Sequence, residues 1–250
     1  MKSIELFAGI GGIALATEWA GIETVAFCEQ NTFCQKVLAK NFPDKPIYDD
    51  VCTLTKETLI KDGVITHDGT IDIISGGYPC QPFSLAGKQR GEADERYLWG
   101  EFFRLVQEIR PTWVVGENVY GHVNNGLSVV VNDLEEEGYE VRAIVLPAAD
   151  VGAPHKRERV FVVARHPDCQ PVVQEDSTTR PIGSERETWQ SVTWKHWREF
   201  SELHWSVPEP GICRVDDGIA KGVDRDRLIA LGNAVVPQQI YPVFKMIANY

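Results

Sequence analysis

The chain has 250 residues, with 25 Lys and Arg against 36 Asp and Glu, and a net charge of -11. That length suits one large α/β domain, or one domain with a small insert. Every apolar stretch falls short of the ~20 residues a membrane helix needs, so the expectation is a soluble protein with no membrane contact.

Charge and cysteine usage narrow the field further. A nucleic-acid binder is ordinarily basic, and this chain is acidic. Its charge is unevenly spread, however. Residues 1–150 hold 12 basic against 23 acidic side chains, and residues 151–227 hold 12 against 13. Positive charge is therefore relatively enriched in the second segment, and any nucleic-acid binding there should be sensitive to salt. The six cysteines show no zinc-ligand spacing, so no metal is expected. Cys28, Cys34, Cys52, Cys169 and Cys213 read as small buried hydrophobes. With no apolar leader at the N-terminus, they point to a reducing, cytoplasmic compartment.

In chain order, Ser3-Ile4-Glu5-Leu6-Phe7 reads as a buried strand. Ala8-Gly9-Ile10-Gly11-Gly12 is a tight glycine turn, and Ile13 to Ala20 reads as a helix. Glycines there let backbone amides approach a ligand and aim a helix start at it. Taken alone, the pattern fits NAD, FAD, nucleotides or S-adenosylmethionine. The dinucleotide fingerprint is incomplete, with Ala14 at its last position. A second strand, Glu23 to Phe27, ends in Cys28-Glu29, where an acid is placed to bind ribose hydroxyls. Asp49-Asp50 stands at what would be the next strand end.

A short apolar run, Ile71 to Ile74, stops at Gly77-Tyr78-Pro79-Cys80-Gln81-Pro82-Phe83-Ser84. A strand ending there would hold the Cys80 thiol at the carboxyl edge of a sheet, where open α/β sheets bind ligands. Gln81 to Tyr97 reads as a long loop. Its Ser84, Gly87 and Gly91 suit a hinge, and Lys88 and Arg90 suit phosphates, so it is expected to close over a bound substrate. Leu98, Phe102, Leu105, Val106 and Ile109 follow a helical period that Pro111 ends. Trp113-Val114-Val115 is a strand ending in Glu117-Asn118-Val119. A helix from Leu127 to Glu137, capped by Gly138, and a strand from Val141 to Leu146 follow.

Lys156-Arg157-Glu158 leads into the strand Arg159 to Val163. A nucleophile, an acid and an arginine pair thus all sit at strand ends, which is an active-site pattern. The alternation then breaks. Residues 166–227 hold five prolines and four tryptophans with few regular patterns, and read as an insertion into a doubly wound domain. Regularity returns at Leu228 to Val235, and Pro237 opens a helix over Gln238 to Ala248.

These stretches, in this order, resemble the DNA (cytosine-5-)-methyltransferase family across nearly the whole chain. The resemblance implies an α/β fold: a Rossmann-like, S-adenosylmethionine-dependent doubly wound sheet carrying a small target-recognition region. Residues 1–165 would form the catalytic and cofactor-binding domain and 166–227 the recognition region. Residues 228–250 would return to the catalytic domain. Phe7, Gly9, Gly11, Gly12, Glu29, Asp50, Pro79, Leu98, Asn233 and Ala234 match positions that hold S-adenosylmethionine and its product S-adenosylhomocysteine. Cys80 stands in the family's nucleophile motif, Glu117 in its acid motif, and Arg157 and Arg159 in its double-arginine motif. Gln81, Ser84, Lys88, Arg90 and Asn118 would face the substrate. The family's pattern has glutamine where this chain has His155.

The chemistry implied is methylation of carbon 5 of a flipped-out cytosine in double-stranded DNA. Cys80 would add to carbon 6, and a protonated Glu117 would bond nitrogen 3. Arg159 would hold the carbonyl oxygen at position 2, with Arg157 supporting Cys80 or the phosphate backbone. A monomer in the cytoplasm of a prokaryotic or phage-type host cell is expected, as in restriction-modification. A branch of the family that methylates tRNA shares these motifs, and a non-catalytic DNA-binding protein on the same scaffold is the other alternative. Intact Cys80, Glu117, Arg157 and Arg159 argue against the latter.

Overall fold

The structure is a computed structural model that describes residues 1–66, 71–79, 98–168 and 221–250, without the side chains of residues 221–225 and 228. Its strands are β1 (Lys2–Leu6), β2 (Glu23–Cys28), β3 (Ile47–Tyr48), β4 (Ile73–Gly76), β5 (Trp113–Val119), β6 (Glu140–Pro147) and β7 (Glu158–Arg165). The helices are α1 (Gly12–Trp19), α2 (Thr32–Asn41), α3 (Lys56–Lys61), α4 (Trp99–Ile109), α5 (Leu127–Glu136), α6 (Lys221–Asn233) and α7 (Pro237–Asn249). The strands form one sheet in the order β3-β2-β1-β4-β5-β7-β6. β3, β2, β1, β4 and β5 pair in parallel, and β7 runs antiparallel to both β5 and β6.

The central strands are apolar because both faces are covered. On one face, Trp99, Phe102, Leu105 and Val106 of α4 and Val130 and Leu134 of α5 close over Ile4, Leu6, Ile74 and Val114. On the other, Ile13 and Ala16 of α1 and Ile240, Val243, Phe244 and Ile247 of α7 cover Ile73, Trp113, Val115 and Val163. The periodic apolar residues of α4 are therefore its buried stripe. α7 packs on α1, so the two helices together cover the sheet's second face.

Several details depart from the linear reading. Residues Leu228 to Val235 belong mostly to α6, which opens at Lys221, inside the 166–227 segment. Cys28 and Cys34 are buried, and burial pushes their thiols up to about 12 and about 11. Cys52 is exposed, which corrects its reading as a buried hydrophobe: it lies in the turn after Asp50, whose Oδ1 accepts its N–H at 2.9 Å.

The strand order reverses between β1 and β4, and the crevice outside the carboxyl ends of such strands is where doubly wound sheets bind ligands. Pairing aligns those ends: Leu6 lies opposite Cys28 and Gly76, and Gly76 opposite Gly116. Glu5, one residue before the end of β1, points under this edge. Its Oε2 accepts the Ala14 N–H of α1 at 2.9 Å. Burial pushes its carboxyl up to about 8, against the lowering by the Ala14 and Ile13 amides.

A carboxyl raised in the fold leaves the native state holding a proton that the unfolded chain has released. Stability should therefore decline as pH rises from about 4.5 to about 8. Glu5→Gln keeps an acceptor for Ala14 and removes the titration. Its melting temperature should vary less than the parent's between pH 5 and 8.5, and equal slopes would contradict the burial of a protonated Glu5.

Candidate active site

The turn after β1 is built for close approach. Phe7, Gly9 and Gly11 take positive φ values of 53°, 55° and 86°. A Cβ added to Gly9 would meet nothing within 4 Å, so its backbone faces open space. A Cβ added to Gly12 would stand 2.3 Å from the Val235 carbonyl oxygen, so the start of α1 and the link between α6 and α7 touch backbone to backbone. That contact brings Asn233 and Ala234 beside the glycine turn.

Two acids follow the ends of β2 and β3. Glu29 Oε2 accepts the Gly9 N–H at 2.7 Å and its Oε1 the Asn31 N–H at 2.6 Å. Asp50 is half-buried and caps the turn that begins α3's approach. Phe7 stacks on Phe102 with centroids 6.5 Å apart, and Leu98 packs against the same cluster. Open backbone at Gly9, carboxylates that accept from hydroxyls and amines, and two apolar side chains form a donor set that fits S-adenosylmethionine.

The second half of the site lies on β5 and β7. Glu117 Oε1 meets Arg159 Nε at 2.8 Å, and the two side chains are 10% and 15% exposed. Such a pair sits in low dielectric, where charge is costly unless matched. Burial raises the Glu117 carboxyl above its ordinary range, outweighing the opposite pull of Arg159 and Arg157. Its other oxygen faces the exit of β4: a Cβ at Gly77 would lie 3.0 Å from Glu117 Oε2. The register Val119–Arg159 explains the meeting. Because β7 is antiparallel, its start and not its end reaches the carboxyl edge.

Residues 1–204 match the family described as C-5 cytosine-specific DNA methylase. The chain belongs to that family. It is 41% identical over 168 residues to the Type II methyltransferase M.HhaI of Haemophilus parahaemolyticus, covering 65% of this chain and 48% of that one. It is 33% identical over 251 residues to the Type II methyltransferase M.CviJI of Paramecium bursaria Chlorella virus IL3A, covering 97% of this chain and 58% of the other. A crystal structure of a Spodoptera frugiperda DNMT2 mutant shares its fold, with a TM-score of 0.56, 26% identity, and coverage of 69% of this chain and 52% of that one. The chain thus spans about half the length of these relatives.

In this member of the family the expected cofactor residues Phe7, Gly9, Gly11, Gly12, Glu29 and Asp50 fall on one sheet edge, with Leu98, Asn233 and Ala234 around it. Pro79 is exposed on the exit from β4. Cys80, Gln81, Ser84, Lys88 and Arg90 lie outside the described residues. Arg157, expected to support Cys80 or the phosphate backbone, reaches the link between α6 and α7. Its guanidinium donates to the Gly232 and Ala234 carbonyls at 3.1 and 2.7 Å, tying the start of β7 to the link after α6. His155 is exposed in the turn before it.

Asn118, expected at the substrate, is buried and spends its amide on the protein. Nδ2 donates to the Tyr78 carbonyl at 3.0 Å, and Oδ1 accepts the Val119 N–H. The Tyr78 hydroxyl lies 3.0 Å from His122 Nε2, in the 3₁₀ turn after β5. Strand β5 thus carries the acid and also braces Tyr78, two residues before Cys80. Sequence reasoning missed Tyr78 and His122 in this brace. The only signal was a tyrosine in an otherwise apolar and glycine setting, a residue that seeks a partner for its hydroxyl when buried.

Asn118→Ala should leave the buried Tyr78 carbonyl without its donor. An orphaned buried group costs about 1–3 kcal/mol, so urea denaturation should show a loss of that size with an unchanged m-value. A loss near zero would mean that the Asn118 amide faces outward.

Proposed function

We propose that this chain transfers a methyl group from S-adenosylmethionine to carbon 5 of a flipped-out cytosine in double-stranded DNA. The observation that carries the proposal is the buried Glu117 carboxyl, held by Arg159 and facing the strand exit that leads into Pro79-Cys80. S-adenosylmethionine supplies an electrophilic methyl group. Glu29 and Asp50 would accept from its ribose and adenine, Phe7 and Leu98 would flank it, and the Gly9–Gly12 turn would lie along it.

Carbon 5 of cytosine is too weak a nucleophile to take that methyl unaided. Cys80, as thiolate, adds to carbon 6, and the displaced electron pair moves toward nitrogen 3. Glu117 protonates or hydrogen-bonds nitrogen 3, and its raised carboxyl is suited to keep the proton needed. Arg159 holds the oxygen at position 2. The resulting enamine would take the methyl group as its bond to the sulfonium sulfur breaks, leaving S-adenosylhomocysteine. A base then removes the carbon 5 proton, and the thiolate leaves as the ring regains its aromatic character. The base must leave the duplex stack first, at a cost of a few kcal/mol. Residues 166–227 supply recognition, and the Gln81 to Tyr97 loop closes over the extruded base. The protein works as a monomer in the cytoplasm. None of its described helices is long and apolar enough to cross a membrane.

Glu117→Gln should keep cofactor affinity and lower turnover by about 10²–10⁴-fold, the usual worth of general acid catalysis. In the parent, turnover should fall as pH rises through the raised Glu117 titration, because the protonated acid is the active form. Near-parental turnover in the glutamine variant, measured with labelled methyl transfer, would rule out the acid role.

The covalent step has its own test. Duplex DNA carrying 5-fluorocytosine at the target should form an adduct that survives denaturing electrophoresis, only with S-adenosylmethionine present. After methyl transfer the carbon 5 substituent must depart as a cation, which hydrogen can do and fluorine cannot. Cys80→Ser should abolish the adduct, since serine is a far weaker nucleophile at neutral pH. A crosslinked peptide lacking Cys80 would refute the nucleophile assignment.

A further inference from the structure

Gln239 is fully buried in the first turn of α7, outside every residue assigned to the site above. A buried amide is tolerated only where hydrogen bonds replace its hydration. Its Nε2 donates to the Arg157 carbonyl at 2.9 Å and also to the Leu146 carbonyl. Its Oε1 has no hydrogen-bond partner among the described residues, so the side chain is fixed by its donor end alone. The two carbonyls lie at the mouth of the β6–β7 connection, where Leu146 stands opposite Arg159.

Arg157 is a strained anchor. Its φ is +31°, a region that side-chain-bearing residues rarely adopt and that persists only when neighbours impose it. The neighbours are visible. The Arg157 carbonyl receives Gln239 Nε2 and, at 3.2 Å, the Ala148 N–H. The Arg157 guanidinium grips the Gly232 and Ala234 carbonyls. The result is a reciprocal clasp. The side chain of Arg157 holds the backbone just before α7, and the side chain of α7 holds the backbone of Arg157. Two residues beyond, Arg159 reaches Glu117.

We infer that Gln239 is a positioning residue: through the Arg157 backbone it sets the placement from which Arg159 engages Glu117. This rests on the reading of Glu117 and Arg159 as the groups that meet the cytosine. The charged groups facing Glu117 among the described residues are Arg159 and Arg157, both from the start of β7. The exit of β4 brings Gly77 and the α6–α7 link brings Val235, neither of them titratable. If the clasp loosens, Arg159 retreats, and Arg157, engaged with the Gly232 and Ala234 carbonyls, is the one other cation among the described residues that faces Glu117.

The test is Gln239→Met, which keeps the volume and removes both donors. Turnover per folded molecule should fall about tenfold or more, the scale expected when a reacting group is misplaced by a fraction of an ångström to an ångström. KM for S-adenosylmethionine should change less than turnover, because Gln239 bonds the Arg157 and Leu146 carbonyls while Ala234 keeps its bond from the Arg157 guanidinium. In the DNA-free protein, a carbon-13 titration of the Glu117 carboxyl should move to higher pH, because the guanidinium that holds it down has withdrawn. A role limited to packing would lower the melting temperature and leave turnover per folded molecule and the Glu117 titration in place, and that result overturns the inference. If Gln239→Met does not fold, Gln239→Asn carries the same test, and an unmoved Glu117 titration in it is equally fatal. The titration needs neither DNA nor turnover. Failure of the parent to methylate cytosine would therefore sink the functional reading while leaving this inference to stand or fall on the carboxyl.

Discussion

The direction of β7 is the constraint from which the chemistry of this sheet follows. Six strands present their carboxyl ends to one edge, and that edge alone would offer glycine turns and acids. β7 runs the other way, so the residues that begin it arrive where its neighbours end. The arrival places Arg159 on Glu117 in a setting too dry for either to be charged cheaply alone. Arg157 arrives with it and is turned aside, to the carbonyls after α6. One arginine meets the acid and the other fastens the structure that delivers it.

The same edge handles two buried carboxyls in opposite ways. Glu5 accepts backbone amides at the start of α1 and has the Glu29 carboxylate near it, so burial drives its carboxyl far up. Glu117 is buried as well, yet Arg159 and Arg157 oppose the rise. The first is a structural brace beneath the cofactor turn. In the proposed reaction the second gives a proton to the bound base and recovers it, which a carboxyl without a cation beside it, as at Glu5, would do poorly.

Much of this was legible in the residues. The glycine turn, the acids after β2 and β3 and the stripe on α4 follow from local chemistry and period, and they appear where expected. The link from Gly232 to Val235 was legible only as a motif; its reason is the backbone contact between Val235 and Gly12. What could not be read was anything that depends on strand direction or on a partner distant in sequence. No property of Glu158 to Arg165 as a string says that it runs antiparallel. Nothing around Asn118 in the sequence says that its amide donates to the carbonyl of Tyr78, far away in the chain. Cys52 failed for a simpler reason: composition favours burial of cysteine, but a turn tied to Asp50 places this one in water. Gln239 is invisible in the sequence because glutamine near a helix start is ordinarily a surface residue.

The acidic balance of the chain also finds a physical place. Acids at the ends of β2 and β3 accept from neutral hydroxyls and amines, so they suit a small polar ligand and would repel a phosphate backbone. The arginines that begin β7 lie on the opposite side of β4, with the acid they neutralise. Moving across the edge from β3 to β7, the character of the site therefore changes from acidic to balanced. A polyanion is disfavoured over the acidic half, whereas an extruded neutral base can enter beside Glu117 without meeting uncompensated charge. A single net charge hides this gradient, because affinity for nucleic acid depends on where the potential is positive and not on its sum.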